Sequence, residues 1–456
     1  MLQVENLQNI RKNFDESDIN LIKRITCLKR LRETIKQQER EVINALYQDL
    51  GKPEFEAFAS EIAPIYHEID LYIKKLIKWV KPQNVPTPLS LFYSKSQIQR
   101  VPLGCILIIA PWNYPFNLAI SPLIGAVAAG NCVVLKPSEI SANTSMIIEK
   151  IIKAVFEENH VLTVLGDGDV VVPNLINSQI FNHVFFTGST MVGQIVASLC
   201  VKYLIPYTLE LGGKSPAIIN NKVDLKIAAR RLAWGKFFNA GQTCIAPDYA
   251  LIHDDVKHEF ICELEYAIND LKLHENDNFA KIINARQFSR LKSYLETGKI
   301  LIGGDWDESK CKIYPTVIDE LSLDSNIMQS EIFGPILPII SYKTTDELIN
   351  IVRRNRYPLA MYIFSNDSEF TDYLVRKIES GAVGINSCLY HFVNSNLPFG
   401  GVMKSGVGQY HGKHTFDLFT HPKAIVKTSI FPDLLLRYPP YTKIKNKLLR
   451  LISNMG

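Results

Sequence analysis

The chain has 456 residues, 47% of them hydrophobic and 21% charged, with a formal net charge of +4. That length holds two or three domains, each with its own core, and the near-even charge balance excludes a strong pull toward nucleic acid or anionic surfaces. The eight cysteines are scattered without C-x-x-C spacing, no leader-like stretch opens the chain, and no run of about 18 uncharged apolar residues occurs; we expect reduced thiols in a cytoplasmic compartment and no bilayer span.

Helices come first. Ser17 or Asp18 is expected to cap a helix with apolar positions at Ile22, Ile25, Leu28, Leu31 and Ile35, closed by Gly51-Lys52-Pro53. A second helical region runs from Glu54 to Lys81, bent near Pro64 and stopped by Pro82. The proline-rich segment 82–90 breaks the pattern, and Leu89 to Val101 alternates like an exposed strand pair. From Gly104 the texture changes to short apolar runs, Ile106–Ile109, Val133–Leu135, Leu162–Leu165 and Val184–Phe186. Helical stretches near 116–129, 144–157 and 190–202 separate them, which predicts an α/β lobe whose parallel sheet is covered on both faces. A second βα series between Tyr207 and Asn386, with Ala217–Ile219, Tyr249–Ile252, Met361–Phe364 and Val383–Ile385 as strands, predicts a second α/β lobe.

One stretch, Phe238-Asn239-Ala240-Gly241-Gln242-Thr243-Cys244-Ile245-Ala246-Pro247, sets a cysteine between a helical run and a strand. Asn239 and Gly241 tolerate the left-handed turn that stops a helix, so Cys244 falls on a tight connection between rigid elements, where reactive groups are displayed. It reads as a nucleophile or, like any of the other seven cysteines, as a small buried hydrophobe. Strand Val184–Phe186 runs into Thr187-Gly188-Ser189-Thr190-Met191-Val192-Gly193 and a helix, offering backbone N–H groups and a positive dipole end to a pyrophosphate; any βα unit can carry such a turn. Lys136-Pro137-Ser138-Glu139 ends an earlier strand at the edge where open sheets bind ligands, and either reaches a ribose or only begins the next helix. Trp112-Asn113 stands at the same edge with Asn113 as an amide donor. Glu210, before Gly212-Gly213-Lys214, and Glu331, before Phe333-Gly334-Pro335, are two carboxylates beside glycines.

Taken in order, these motifs resemble the aldehyde dehydrogenase superfamily. Cys244 to Tyr249, Leu397 to Gly401, Tyr410 to Lys413 and Arg437 to Tyr441 are similar to its class 3 branch, which includes fatty aldehyde dehydrogenases. The resemblance covers nearly the whole chain. It implies a Rossmann-like NAD(P)-binding domain (1–81 and 101–209), a catalytic domain of related topology (210–400), and a bridging β arm (82–100 and 415–430) that pairs subunits into a homodimer. It further implies that Cys244 as thiolate attacks an aldehyde while Asn113 and the Cys244 N–H hold the oxyanion. Hydride then passes to the cofactor, and Glu210 activates the water that releases the acid, with Glu331 as a second possible base. Trp112, Lys136, Glu139, Thr187, Gly188, Ser189, Val192, Gly193, Glu331 and Phe333 would bind the cofactor. Glu139 beside the adenosine ribose favours NAD, with NADP possible.

The chain departs from the family pattern at Ser330, where relatives often have another acid, and at Met403-Lys404. The implied substrates are medium- or long-chain aliphatic or aromatic aldehydes. A CoA-acylating aldehyde dehydrogenase is the alternative, which the presence of Glu210 argues against. The tail at 431–456 includes Lys443–Ile452, a basic amphipathic helix that either packs on its own protein or makes weak peripheral contact with a membrane.

Overall fold

The computed structural model describes residues 4–16, 20–273, 275, 278–431, 433 and 435–453. Helix α1 (Val4–Glu16), which the periodicity did not announce, precedes the long α2 (Leu21–Leu50). The expected caps Ser17 and Asp18 lie outside the described residues; Asn20 caps α2, accepting from the Lys23 N–H, and Gly51 (φ 59) ends it by donating to the Tyr47 carbonyl. Leu28, Leu31, Ile35, Val42 and Leu46 are buried, whereas Ile22, counted in the same stripe, faces solvent. The bend in the next helical region falls ahead of Pro64. After α3 (Glu54–Ala57), residues Phe58–Ile62 wind as one π turn, and Pro64 sits in the first turn of α4 (Ala63–Trp79), where its missing N–H costs nothing.

The arm is a three-stranded antiparallel sheet. Strand β1 (Gln83–Val85) pairs with β2 (Ser94–Pro102), which pairs with the late strand over Thr420–Thr428. The expected strand pair within 89–101 is therefore one strand: Leu89–Leu91 makes a 3-10 turn, and β2 finds its partners at 83–85 and 420–428.

The first lobe follows as β3 (Cys105–Ile109), α5 (Asn117–Ala129), β4 (Cys132–Lys136), α6 (Ala142–Val155), β5 (Val161–Thr163), α7 (Gly168–Asn177), β6 (His183–Thr187), α8 (Thr190–Lys202) and β7 (Tyr207–Glu210). Its parallel strands lie in the order β7-β6-β3-β4-β5, so the strand order reverses between β3 and β6 and opens a crevice at their carboxyl ends. The second lobe begins at β8 (Pro216–Ile219), continues through α9 (Leu225–Phe237), β9 (Tyr249–His253), α10 (Lys257–Asp270), α11 (Ala285–Tyr294) and β10 (Lys299–Ile302), and passes a small hairpin of β11 (Trp306–Asp307) and β12 (Lys312–Ile313). It closes with β13 (Thr316–Asp319), α12 (Asn326–Gln329), β14 (Ile336–Tyr342), α13 (Thr345–Arg354), β15 (Ala360–Phe364), α14 (Ser368–Lys377), β16 (Ala382–Ile385) and α15 (Tyr390–Val393). The sheet order is β10-β13-β14-β9-β8-β15-β16, parallel except at β10.

Beyond residue 400 the chain returns to the first lobe. Strand β17 (Gly406–Val407) pairs Gly406 opposite Glu210, and α16 (Lys413–Leu418) leads into β18 (Thr420–Thr428) of the arm. Helix α17 (Lys443–Ser453) ends the described chain. No described helix is long and apolar enough to cross a membrane.

Candidate active site

Helix α9, capped by Asp224, stops at Phe237, and the chain then takes three successive left-handed residues, Asn239 (φ 53), Ala240 (φ 52) and Gly241 (φ 71). Asn239 and Gly241 were expected there; Ala240 was not, because its Cβ makes the conformation costly. The surroundings hold it. The Asn239 N–H donates to the Glu56 carboxylate at 3.1 Å. The Gln242 side chain donates to the Asn239 and Lys281 carbonyls and accepts from the Ile283 N–H. Gly241 is required twice over, since a Cβ there would lie 2.3 Å from the Gly334 carbonyl. Cys244 follows on this braced loop, half-buried.

The Asn113 loop, at the carboxyl end of β3, reaches across to the same place. Asn113 is buried, and its side-chain amide donates to the Gln242 carbonyl at 3.0 Å, leaving its second amide hydrogen without that bond. Tyr114 Oη lies 2.6 Å from Thr243 Oγ1. Two side chains from elsewhere take the Asn113 main-chain carbonyl: Asn239 at 3.1 Å and the Lys52 ammonium at 3.4 Å.

Both expected carboxylates are beside the thiol. Glu210, the last residue of β7, is buried, neither of its oxygens has a hydrogen-bond partner, and burial pushes its acid well above the usual range. Glu331 packs so closely on Gly212 that a Cβ there would lie 2.0 Å from Oε2. Burial first, then Asp248, pushes Glu331 up to about 8, against the Gly213 N–H. Burial, Glu331 and Glu210 in turn push the Cys244 thiol up, against the N–H groups of Cys244 and Ile245. Burial and the two carboxyl groups thus work against ionisation of the Cys244 thiol, and the N–H groups of Cys244 and Ile245 work for it.

Sequence reasoning missed the buried pairs that fix these groups. Lys214 and Asp248 form an ion pair at 2.5 Å with side chains 3% and 4% exposed. Lys214 also donates to the Ile327 and Ser330 carbonyls, and Asp248 accepts from the Ile332 N–H, so the pair grips the chain on both sides of Glu331. Lys236, fully buried and without a hydrogen-bond partner, is pulled down to about 8, chiefly by burial. The only sequence signals were position: Lys214 and Asp248 each follow a named motif residue by four.

The crevice at β3, β4 and β6 carries the remaining predicted residues. Lys136, its side chain 3% exposed, pairs with Glu139 at the end of β4. Burial works to raise the Glu139 acid, but the hydrogen bond from Lys136 and backbone donors leave it below its ordinary value. Thr187 Oγ1 is buried without a partner. At Gly188 a Cβ would lie 2.5 Å from the Phe186 ring, and at Gly193, in the first turn of α8, 2.6 Å from a Leu211 methyl, so a side chain at either would have to displace that neighbour. Ser189 caps α8 by accepting from the Val192 N–H. Trp112 and Phe333 meet edge to face at 5.3 Å, a contact between the two lobes. An orphaned hydroxyl, a glycine-lined helix N-terminus and an ammonium–carboxylate pair at one switch point fit a dinucleotide's pyrophosphate and ribose.

The model of the aldehyde dehydrogenase family matches residues 6–425. Over 419 residues the chain is 43% identical to the 4,4'-diaponeurosporen-aldehyde dehydrogenase of Staphylococcus aureus, covering 91% of each chain. It is 40% identical to the aldehyde dehydrogenase family 3 member A2 of Pongo abelii, over 92% of this chain and 88% of that one. Among solved structures, the substrate-bound state of Staphylococcus aureus AldH superposes with a TM-score of 0.96 at 40% identity, covering 98% of this chain and 99% of that one. The NAD+ complex of an aldehyde dehydrogenase from Bacillus cereus superposes with a TM-score of 0.83 at 25% identity, over 93% and 88%.

Proposed function

The chain belongs to the aldehyde dehydrogenase family, enzymes that oxidise aldehydes to carboxylic acids with NAD(P), and on that premise we propose that Cys244 is its nucleophile and that it acts on medium- or long-chain aliphatic or aromatic aldehydes. The observation that carries this reading is the convergence on Cys244 of one braced amide, Asn113, and one buried carboxyl without partners, Glu210.

Attack of the Cys244 sulfur on the carbonyl carbon forms the C–S bond and moves charge to oxygen. The free hydrogen of the Asn113 amide and the Cys244 N–H receive that charge. The thiol proton leaves to solvent from the half-buried Cys244 as the bond forms, so Glu210 is kept for the second half of the reaction. NAD, when bound, would supply the acceptor for the hydride that leaves the former aldehyde carbon, and the substrate is then held on Cys244 as a thioester. Glu210 then takes a proton from the attacking water, the C–S bond breaks, and the acid departs as the sulfur is released.

Lys136 and Glu139 would hold the adenosine ribose, with Glu139 disfavouring a 2′-phosphate and so favouring NAD over NADP. Thr187, Gly188, Ser189, Val192 and Gly193 would take the pyrophosphate, and Glu331, with Trp112 and Phe333 beside it, the nicotinamide ribose. The 82–100 and 415–430 segments would pair two copies into a homodimer, in a cytoplasmic compartment. Ile444, Leu448, Leu449 and Leu451 of α17 are exposed among Lys443, Lys445 and Lys447, which supports a weak peripheral contact with a membrane surface.

The test is turnover of an aldehyde series at saturating NAD, followed by absorbance of the reduced nicotinamide, for the parent protein and Cys244→Ala. Turnover should rise with chain length and vanish in the variant. Retained turnover in Cys244→Ala would overturn the assignment, and turnover that requires added CoA would make the enzyme an acylating one.

A further inference from the structure

The α2–α4 connection has no place in the cofactor crevice, yet it delivers three charged side chains beneath the thiol loop. Lys52 and Glu61 are paired at 2.5 Å with both side chains fully buried. A pair so deep costs several kcal/mol of desolvation per ion before its attraction is counted, so its retention calls for a role beyond stability. Each partner spends its remaining valence on the same loop. Lys52 donates to the Asn113 carbonyl and stands 4.2 Å from the centre of the Tyr114 ring. Glu61 Oε2 accepts from the Phe116 and Asn117 N–H groups, capping the start of α5. The π turn at Phe58–Ile62 inserts the extra residue just where Glu61 must face inward. On the other side, Glu56 accepts from Asn239 N–H, the first left-handed residue before Cys244. Asn239 and Asn113 share the Gln242 carbonyl.

We propose that Lys52 and Glu61, with Glu56, are positioning residues that hold the Asn113 amide and the Cys244 loop in register for oxyanion formation. The inference rests on the oxyanion role given to Asn113 above. Lys52 and Glu61 fix both ends of the Asn113-Tyr114-Pro115-Phe116 segment, and Glu56 fixes the start of the facing turn. One short connection thus sets the spacing between the oxyanion donor and the nucleophile. Misplacement by about 1 Å costs on the order of a hundredfold in rate.

The experiment is a double-mutant cycle on the acylation step, read as the pre-steady-state burst of reduced nicotinamide with an aldehyde substrate and saturating NAD. Lys52→Met removes the tether but leaves Glu61 an unpaired buried charge; Lys52→Met with Glu61→Gln removes both charges and protects the fold, which a thermal melt checks. The double variant should fold and show a burst rate lower by on the order of a hundredfold. The KM for NAD and the rate of Cys244 alkylation by iodoacetamide should be unchanged. In the Asn113→Ala background the same double change should cost almost nothing more. A folded double variant with the parental burst rate, or a full additive loss on top of Asn113→Ala, overturns the positioning role alone. If Asn113→Ala keeps the parental burst rate, the oxyanion assignment falls, and this inference with it.

Discussion

Glu210→Gln separates the two halves of the proposed reaction. The substitution keeps the side chain's size and shape, and since neither Glu210 oxygen has a hydrogen-bond partner, the amide forfeits no bond that the carboxyl was making. Thermal stability should therefore hold, while the proton-accepting capacity disappears. A positioned general base contributes roughly 10²–10⁴ in rate, or about 3 to 5 kcal/mol of barrier at 1.36 kcal/mol per tenfold. Steady-state turnover should fall by that factor. Acylation, which depends on Cys244 and Asn113, should persist at least for substrate bound to ionised sulfur. Rapid mixing with saturating NAD and aldehyde should thus give a burst of reduced nicotinamide approaching one equivalent, followed by a slow phase. The burial that raises the Glu210 acid also means that parental turnover should climb as pH rises, because the base works only when ionised, and that this limb should be missing from the variant. An unchanged steady-state rate in Glu210→Gln would transfer the base role to Glu331. A variant with no burst at all would place Glu210 before the thioester, as acceptor of the thiol proton.

Three further outcomes follow from the buried charges and the close approach at Gly212. Lys214→Met strands Asp248 with its side chain 4% exposed, and breaking one side of a buried pair costs about 3–5 kcal/mol, so chemical denaturation should show that loss and the KM for NAD should rise as the Glu331 segment loosens; an unchanged KM would refute the grip on Glu331. Gly212→Ala puts a Cβ 2.0 Å from Glu331 Oε2, and the displaced carboxylate, at an overpacking cost of about 1–3 kcal/mol, should weaken NAD binding by about tenfold or more in a fluorescence titration, with parental affinity the refuting result. Glu68, buried and hydrogen-bonded to the Gly412 N–H, is raised by burial from 4.5 to about 7. Its folded pKa exceeds its unfolded one, so its contribution is full below about pH 4.5 and is lost as pH rises through about 7. That amounts to about 3 kcal/mol, and urea denaturation of Glu68→Gln at acid and at mildly alkaline pH should lack that part of the parental decline. Identical pH dependences in the two proteins would show that Glu68 titrates alike folded and unfolded.

The lobes were legible because parallel strands buried on both faces are continuous apolar runs, and the runs at 105–109, 132–136 and 183–187 are fully or almost fully buried. Strand β14 was not, because Pro338 interrupts its run; the fold tolerates it at the position where β14 pairs Ile318 of β13. The arm was legible as an exposed alternation, but not its partners, since β18 arrives more than three hundred residues after β2 and pattern alone carries no pairing. The same limit applies at the site. Cys244, Asn113, Glu210 and Glu331 stand out because each sits beside glycine, proline or a strand end, which is local information. Lys52–Glu61 and Lys214–Asp248 consist of residues that look like ordinary surface charges until the chain folds over them.

That difference bears on how the chemistry is arranged. The groups proposed to react are short of partners: Glu210 has none, the Asn113 amide keeps one hydrogen free, and burial with the nearby Glu331 and Glu210 opposes ionisation of Cys244. The groups behind them are saturated, with Lys214 making one ion pair and two carbonyl contacts, and Glu61 one ion pair and two N–H contacts. An unpartnered polar group in a dry site is costly and would collapse onto the nearest donor if its backbone could move. The saturated ion pairs restrain the backbone they touch, Lys52–Glu61 at the Asn113 loop and Lys214–Asp248 around Glu331. On the roles proposed above, Lys52 would serve the reaction by holding the Asn113 loop and Lys214 by holding the Glu331 segment, so that the groups facing substrate stay open to it.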